Sequence, residues 1–320
     1  MIKTQPCNPE QLKVTLLKGG ASDEREISLA SGNACAAALR DQGFIVTEVD
    51  TGDEDMIAQI IASNPDVVFS ALHGRDGEDG CMQGLCELMR VPYTGSGVLA
   101  SALAMDKIRA KTFYSASGLP TPHSVTLHAG EGYLPADIIG VVGEKCVVKP
   151  ANEGSALGVR IVNTPSALPD AIKEAFEFDD TLLVERFIEG TEVTVAVLGN
   201  EKPEALPVIE IVPQESSEFY DFEAKYAANG STHIIPARIS DEQTETCQRI
   251  AVAAHEALGC RGVSRSDIIV DSAGTCWVLE TNTIPGMTET SLLPDAAKAV
   301  GIGFGELCKM LIELALEEKH

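Results

Sequence analysis

The sequence has no apolar run long enough to cross a membrane, and Met1 to Pro9 contain no apolar signal core. Membrane insertion and export are not expected, and a cytoplasmic setting is. Basic residues are scarce, 24 against 48 acidic ones, for a net charge of −24. Nucleic acid and anionic lipid both require basic surface, so neither is expected as a partner. The nine cysteines are odd in number, scattered and without a Cys-x-x-Cys pair. That excludes a zinc pattern and a disulfide framework and fits a reduced compartment. There is no internal repeat, no low-complexity tract and no Gly-Lys-Ser/Thr phosphate loop.

What is present is enough chain for two or three compact units, 320 residues of ordinary globular composition. Lys13 to Leu17 reads as a strand ended by Gly19-Gly20. Asp23 and Glu26 have capping-box spacing at the head of an alanine-rich helix that Gly43 closes. A strand over Phe44 to Val49, a helix over Met56 to Ala62 and a strand over Asp66 to Leu72 continue the alternation, which predicts a parallel α/β sheet. Cys146 to Val162 reads as strand, glycine loop, strand. A helix over Ser166 to Phe176 and a strand over Leu182 to Phe187 follow, and from Glu192 the chain is β-rich. A helix over Asp241 to Leu258 leads into a hairpin, and a C-terminal helix ends the chain.

Arg265 to Thr288 is the most informative stretch. Two β-rich runs flank Ala273-Gly274, a hairpin signal. With a two-residue loop, Val270 faces Trp277 and Ile268 faces Leu279, all apolar. On the other face Asp267 opposes Glu280 and Arg265 opposes Asn282. Directly opposed side chains sit roughly 5 Å apart, and like charges there are destabilising. Two readings are open. The hairpin is amphipathic with a wet polar face, or its carboxylates hold a hard cation such as Mg²⁺, which takes one or two carboxylates plus substrate phosphates.

Other groups point the same way. Asn152 to Gly158 would let backbone N–H groups approach a phosphate, with Lys149 as its cation; a plain turn is the alternative. Glu24 and Glu26 lie in a helix first turn, where one of them is explained by the helix dipole. His73 follows a buried strand at its carboxyl end, a ligand position or a turn cap. Tyr220, Lys225 and Tyr226 lie in the long polar loop Glu218 to Ser231, which reads as a lid or as an exposed loop with locally packed aromatics.

The motifs, in this order, resemble the ATP-grasp fold and, within it, the D-alanine–D-alanine ligases. They are Gly19-Gly20 with Glu24-Arg25-Glu26; Leu72-His73-Gly74-Arg75 with Gly77-Glu78-Asp79-Gly80; Pro92 to Gly97; Met105-Asp106-Lys107; Lys149-Pro150; Glu153-Gly154-Ser155; Tyr220-Asp221 with Glu223 to Tyr226; Arg265 with Asp267; Glu280 with Asn282; Pro285 to Thr288; and Ser291-Leu292. The resemblance covers nearly the whole chain. It implies a fold of mixed α/β and α+β type, an ATP-grasp fold preceded by a parallel α/β domain. The division would be 1–106 for the first substrate, 107–190 for clamping the nucleotide, and 191–320 for metal, lid and second substrate.

The resemblance also implies roles. Lys107 and Lys149 contact ATP phosphates, Lys225 joins the nucleotide contacts, and Glu185, Phe187, Ile188 and Glu192 frame the adenosine. Asp267, Glu280 and Asn282 bind two Mg²⁺, which Mn²⁺ can replace. Glu24 anchors the ammonium of the first D-alanine, and His73 lies near its carboxylate. Glu24, Ser155 and Tyr226 form a hydrogen-bonded set. Arg265 and the Gly286 amide receive the oxyanion, and Ser291 and Leu292 hold the second D-alanine. The implied product is D-alanyl-D-alanine for peptidoglycan precursors, made through an acyl phosphate by a homodimer. Rival readings are a ligase for D-lactate or another D-amino acid, against which Tyr226 argues, and a nucleotide-binding regulatory protein without turnover. Lys18, Asp76, Ala156, Thr281 and Ile284 depart from the family pattern.

Overall fold

The computed structural model describes residues 2, 4–154, 157–213, 231–288 and 290–317. These residues form three sheets, the first parallel and the others antiparallel, with helices packed on them, which is the expected fold class. Strands β1 (Lys13–Lys18), β2 (Ile45–Asp50) and β3 (Val67–Ser70) are parallel, in the order β2-β1-β3. Helices α1 (Arg25–Asp41) and α2 (Met56–Ser63) are the crossovers. The order doubles back at β1, which opens a crevice beyond the carboxyl ends of β1 and β3, where open α/β sheets place ligands. Glu24 follows β1 and His73 follows β3, and both line a cavity there.

The capping box expected of Asp23 and Glu26 does not form. Glu24 is the N-cap of α1 and makes no side-chain cap bond, because its backbone (φ −93°, ψ 11°) lies outside the extended region that capping requires. Its buried carboxylate turns into the crevice instead.

Helices α3 (Cys81–Met89), α4 (Val98–Met105) and α5 (Lys107–Ala116) lead to the second sheet. Its strands are β4 (Ser124–His128), β5 (Cys146–Pro150), β6 (Arg160–Val162) and β7 (Thr181–Arg186), ordered β4-β7-β5-β6. Helices α6 (Pro135–Val142) and α7 (Leu168–Ala175) pack on it over a core that includes Val148, Ile172, Leu182 and Val184. Sequence reading missed β4 and α6. In β4 only Leu127 is buried, so the strand shows no apolar alternation.

The third sheet runs β11 (Ser231–Ile234), β10 (Ile209–Pro213), β8 (Gly190–Gly199), β12 (Gly262–Asp271), β13 (Cys276–Asn282), with β9 (Glu204–Ala205) on β8. Helix α8 (Asp241–Leu258) has the predicted bounds and a complete capping box. Ser240 Oγ accepts the Gln243 N–H at 3.2 Å, and Gln243 Oε1 accepts the Ser240 N–H at 2.8 Å. Helices α9 (Leu292–Ala299) and α10 (Phe304–Leu316) close the chain. One core joins this sheet to the first: Leu16, Leu39 and Phe69 cluster with Leu198, Leu307 and Ile312.

The β12–β13 hairpin corrects the expected register near its turn. The loop has three residues, Ser272 to Gly274, with Gly274 at φ 86°. Asp271 Oδ1 accepts the N–H groups of Ala273 and Thr275, each at 2.9 Å, and this side-chain turn fixes the loop. Ile268 therefore faces Val278 and Val270 faces Cys276, one residue off the expected pairing. A bulge between Asp267 and Ile268 absorbs the difference, so Asp267 faces Glu280 and Arg265 faces Asn282 as expected. The buried apolar set becomes Ile268, Val270, Cys276 and Val278, and Leu279 lines a cavity instead.

Arg25 braces the β1–α1 turn. Its NH1 and NH2 donate to Asp50 Oδ1 and Oδ2 at 2.8 and 2.6 Å. The hydrogen bonds from Arg25 hold the Asp50 carboxyl at about 2, against an ordinary 3.8. A depressed carboxyl stabilises the fold above its ordinary value and loses that contribution as pH falls toward the folded value. Asp50→Asn should cost roughly 1 kcal/mol at pH 7, about 1–2 °C in melting temperature for a chain of this size. Calorimetry across pH should show the gap to the parent narrowing between pH 4 and 2. A constant gap would mean that Asp50 does not titrate with folding.

Candidate functional site

Two neighbouring cavities collect the described candidate residues. The smaller, about 90 Å³, is lined by Glu24 from the α1 start, His73 after β3, Arg265 and Asn282 from the hairpin, and Gly286, Ser291 and Leu292 beyond it. The larger, about 500 Å³, lies between the second and third sheets. Lys149, Glu185, Phe187, Ile188, Glu192 and Asp267 line it. Its size is within the usual range for small-molecule sites, roughly 300–1,000 Å³. Lys107, Glu153 and Glu280 line both cavities and so form their common wall. Ser155, Lys225 and Tyr226 lie outside the described residues, as does nearly all of the expected lid.

Cationic side chains attend the opposed carboxylates. Arg265 donates from Nε and NH2 to Asp267 Oδ1 and Oδ2 at 3.1 and 3.0 Å, a forked pair. Thr194 Oγ1 donates to Asp267 Oδ1 at 2.6 Å. Lys107 Nζ stands 3.8 Å from Glu280 Oε2 and donates to the Glu153 carbonyl at 2.6 Å. Asn282 Oδ1 accepts the Ile284 N–H at 2.9 Å. Asp267, Glu280 and Asn282 supply oxygen donors only, which suits a hard divalent cation. Thr281, between two of them, points the other way and accepts the Tyr114 hydroxyl at 2.8 Å.

Two glycines close on Glu24, and one of them, Gly154, lines the smaller cavity. A Cβ at Gly154 would lie 2.6 Å from Glu24 Oε2, and one at Gly74 would lie 2.9 Å from it. Glycine at both positions lets the two backbones approach that carboxylate without displacing it. Burial lowers the His73 imidazole below its ordinary value despite the Glu24 charge, so it is neutral at pH 7. Beyond the hairpin, Ser291 Oγ accepts the Thr288 N–H at 3.1 Å, and Ser31 Oγ accepts the Met287 N–H at 3.3 Å. These bonds fix the turn that carries Gly286.

Residues 113–313 match the family model described as D-ala D-ala ligase C-terminus, and residues 48–96 match D-ala D-ala ligase N-terminus. The chain is 46% identical over 312 residues to D-alanine–D-alanine ligase of Pelotomaculum thermopropionicum, covering 96% of this chain and 97% of that one. It is 49% identical to the ligase of that name from Ruegeria pomeroyi, at 94% and 95% coverage. The chain belongs to the D-alanine–D-alanine ligase family. Its fold is similar to the crystal structure of the Bacillus anthracis family member complexed with ATP (TM-score 0.83, 31% identity, coverage 95% and 97%). It is also similar to VanG D-Ala:D-Ser ligase from Enterococcus faecalis (TM-score 0.82, 32% identity, coverage 95% and 99%).

The structure explains two departures from the family pattern. Asp76 has φ 65°, a conformation that favours glycine and that aspartate tolerates. Lys18 pairs with Glu48 and donates to Asn33 Oδ1 at 2.7 Å, away from both cavities. Ala156 lies outside the described residues.

Sequence reading missed two residues. One is Lys111, which donates to Glu185 Oε2 at 2.9 Å. The other is Glu78, which lines the smaller cavity. Glu78 Oε2 accepts the Gly74 N–H at 2.8 Å, while its Oε1 has no hydrogen-bond partner among the described residues. Burial, with the Glu24 charge adding to it, pushes the Glu78 carboxyl up to about 8. Glu78 therefore resists ionisation more than an ordinary carboxyl does. The signal available in the sequence was its place in Gly77-Glu78-Asp79-Gly80, but not its burial.

A raised carboxyl costs stability as pH climbs from its ordinary value to the folded value, because the unfolded chain ionises first. Glu78→Gln removes that cost. Its melting temperature relative to the parent should rise from pH 5 to pH 8 and then level. A difference independent of pH would show that Glu78 is ionised throughout.

Proposed function

We propose that the chain ligates two D-alanine molecules to D-alanyl-D-alanine with ATP as the energy source, for peptidoglycan precursor synthesis. The common wall of Lys107, Glu153 and Glu280 carries this reading, because phosphoryl transfer from nucleotide to amino acid needs the two sites to touch. The division into 1–106, 107–190 and 191–320 belongs to the same reading. The changes of sheet near residues 124 and 190 support it. A cytoplasmic homodimer is proposed on family grounds.

A carboxylate is a poor acyl donor. Its oxygen attacks the γ-phosphate of ATP and gives an acyl phosphate and ADP; the second amine then attacks the acyl carbon and expels phosphate. Glu24 holds the ammonium of the first D-alanine, with neutral His73 beside its carboxylate. Lys107 and Lys149 hold the phosphates, and Phe187, Ile188, Glu185 and Glu192 enclose the adenosine. Arg265, held by Asp267, and the Gly286 N–H receive the negative charge that develops on the carbonyl oxygen. Ser291 and Leu292 hold the second substrate. Ser155, Tyr226 and Lys225 keep the roles that family resemblance gives them. Asp267, Glu280 and Asn282 would hold two Mg²⁺ ions, or Mn²⁺, which supply charge neutralisation at the transferring phosphoryl group.

Phosphate release and product analysis with ATP, Mg²⁺ and D-alanine, against D-serine, D-lactate and L-alanine as second substrates, tests the reading. D-alanyl-D-alanine should dominate. A folded preparation that forms no dipeptide would rule out the ligase reading, and preference for D-serine would place the chain with the D-Ala:D-Ser branch.

Glu280→Gln separates chemistry from folding. Turnover should fall by at least a hundredfold, an order-of-magnitude expectation for a lost metal ligand. The melting temperature without metal should move little, because lost repulsion from Asp267 offsets lost attraction to Lys107. A large drop in the metal-free melting temperature would make Glu280 a structural residue.

A further inference from the structure

We infer that Lys111, which does not line the nucleotide cavity, is a positioning residue for it: by occupying one oxygen of Glu185, it leaves the charge of Lys149 available to the phosphates. The inference rests on the nucleotide reading above. Its basis is a buried set of three charges. Lys111, Lys149 and Glu185 are 5%, 7% and 3% exposed. Lys149 Nζ pairs with Glu185 Oε1, and Lys111 Nζ donates to Glu185 Oε2 at 2.9 Å. Lys111 Nζ also donates to Thr121 Oγ1 at 2.8 Å. Thr121 Oγ1 donates in turn to the Val278 carbonyl of β13 at 2.9 Å. The ammonium is thus held by the α5–β4 connection and the hairpin, on the side away from Lys149's oxygen.

The charge count decides what this does. One carboxylate and two ammonium groups leave a net charge of +1 in a nearly dry wall. Lys149 and Glu185 face the larger cavity, whereas Lys111 and Thr121 line a different cleft. Removing Lys111 leaves Lys149 and Glu185 to neutralise each other. A buried carboxylate with a single partner then competes with phosphate for that partner. Burial by itself would raise the Glu185 carboxyl, yet the charges of Lys149 and Lys111 outweigh it and hold the carboxyl below its ordinary value. Burial lowers the Lys111 ammonium, and Glu185 opposes that change. The three groups therefore share their charges as a set rather than as independent pairs.

The sharing makes a prediction that a packing role does not. Lys111→Met should weaken ATP binding roughly tenfold or more, the scale of losing one unit charge near phosphate at a partly screened site. KM for ATP should rise more than kcat falls. In a Glu185→Gln background, where Lys149 has no competing carboxylate and the adenosine contact is already lost, adding Lys111→Met should weaken ATP binding several-fold less than it does in the parent. Lys111→Arg should stay close to the parent. Calorimetric titration with ATP and Mg²⁺, together with initial rates and melting temperatures, reads all three. Parent-like affinity in Lys111→Met would overturn the inference, and so would an equal loss on adding Lys111→Met to Glu185→Gln. If Lys111→Met does not fold, Lys111→Arg still decides, because the inference requires near-parent affinity where the charge is kept, and a loss of about tenfold there would overturn it. Failure of the parent to bind ATP would overturn the nucleotide reading and this inference with it.

Discussion

The site is arranged around one electrostatic constraint. Asp267 and Glu280 sit opposite each other on β12 and β13, and β12 is an interior strand paired on both sides. Two carboxylates in that position must be matched by cationic groups. Arg265 comes from the same strand, two residues away, and forks onto Asp267. Lys107 comes from the first turn of α5, stands near Glu280 and is tied to the Glu153 carbonyl. The contact that offsets repulsion on the hairpin thereby draws the second sheet's glycine loop toward the third sheet. The wall between the two cavities contains that contact.

The first sheet contributes through topology. Its order, β2-β1-β3, places the ends of β1 and β3 side by side, so residues 49 positions apart, Glu24 and His73, share a crevice. Glycines at 74 and 154 then let the backbone close on the Glu24 carboxylate. At Gly154 part of the cavity wall is therefore backbone rather than side chain.

Much of this was legible in the sequence where a signal is local. Helix Asp241–Leu258 is framed by a side-chain cap and a glycine, and its bounds read correctly. The pairing of Asp267 with Glu280 read correctly for a different reason. The loop is one residue longer than expected and a bulge cancels the error before the polar residues are reached. The Asp23 and Glu26 spacing misled because the same turn has a competing use, which is to aim Glu24 at the site. Lys111 was illegible because its meaning rests on a contact with a residue 74 positions away. Glu78 sits in a readable motif, but its raised carboxyl follows from burial, which no local pattern encodes.

The core shared by the first and third sheets has a consequence for synthesis. Leu16, Leu39 and Phe69 pack against Leu307 and Ile312 of the last helix. A ribosome makes the first sheet well before α10. Until residues 304–316 emerge, the N-terminal sheet keeps an uncovered apolar face, and the nascent chain depends on being shielded from its neighbours. Cutting the gene between the sheets would therefore leave the amino-terminal fragment in that incomplete condition permanently, with a sticky face where the closing helix belongs.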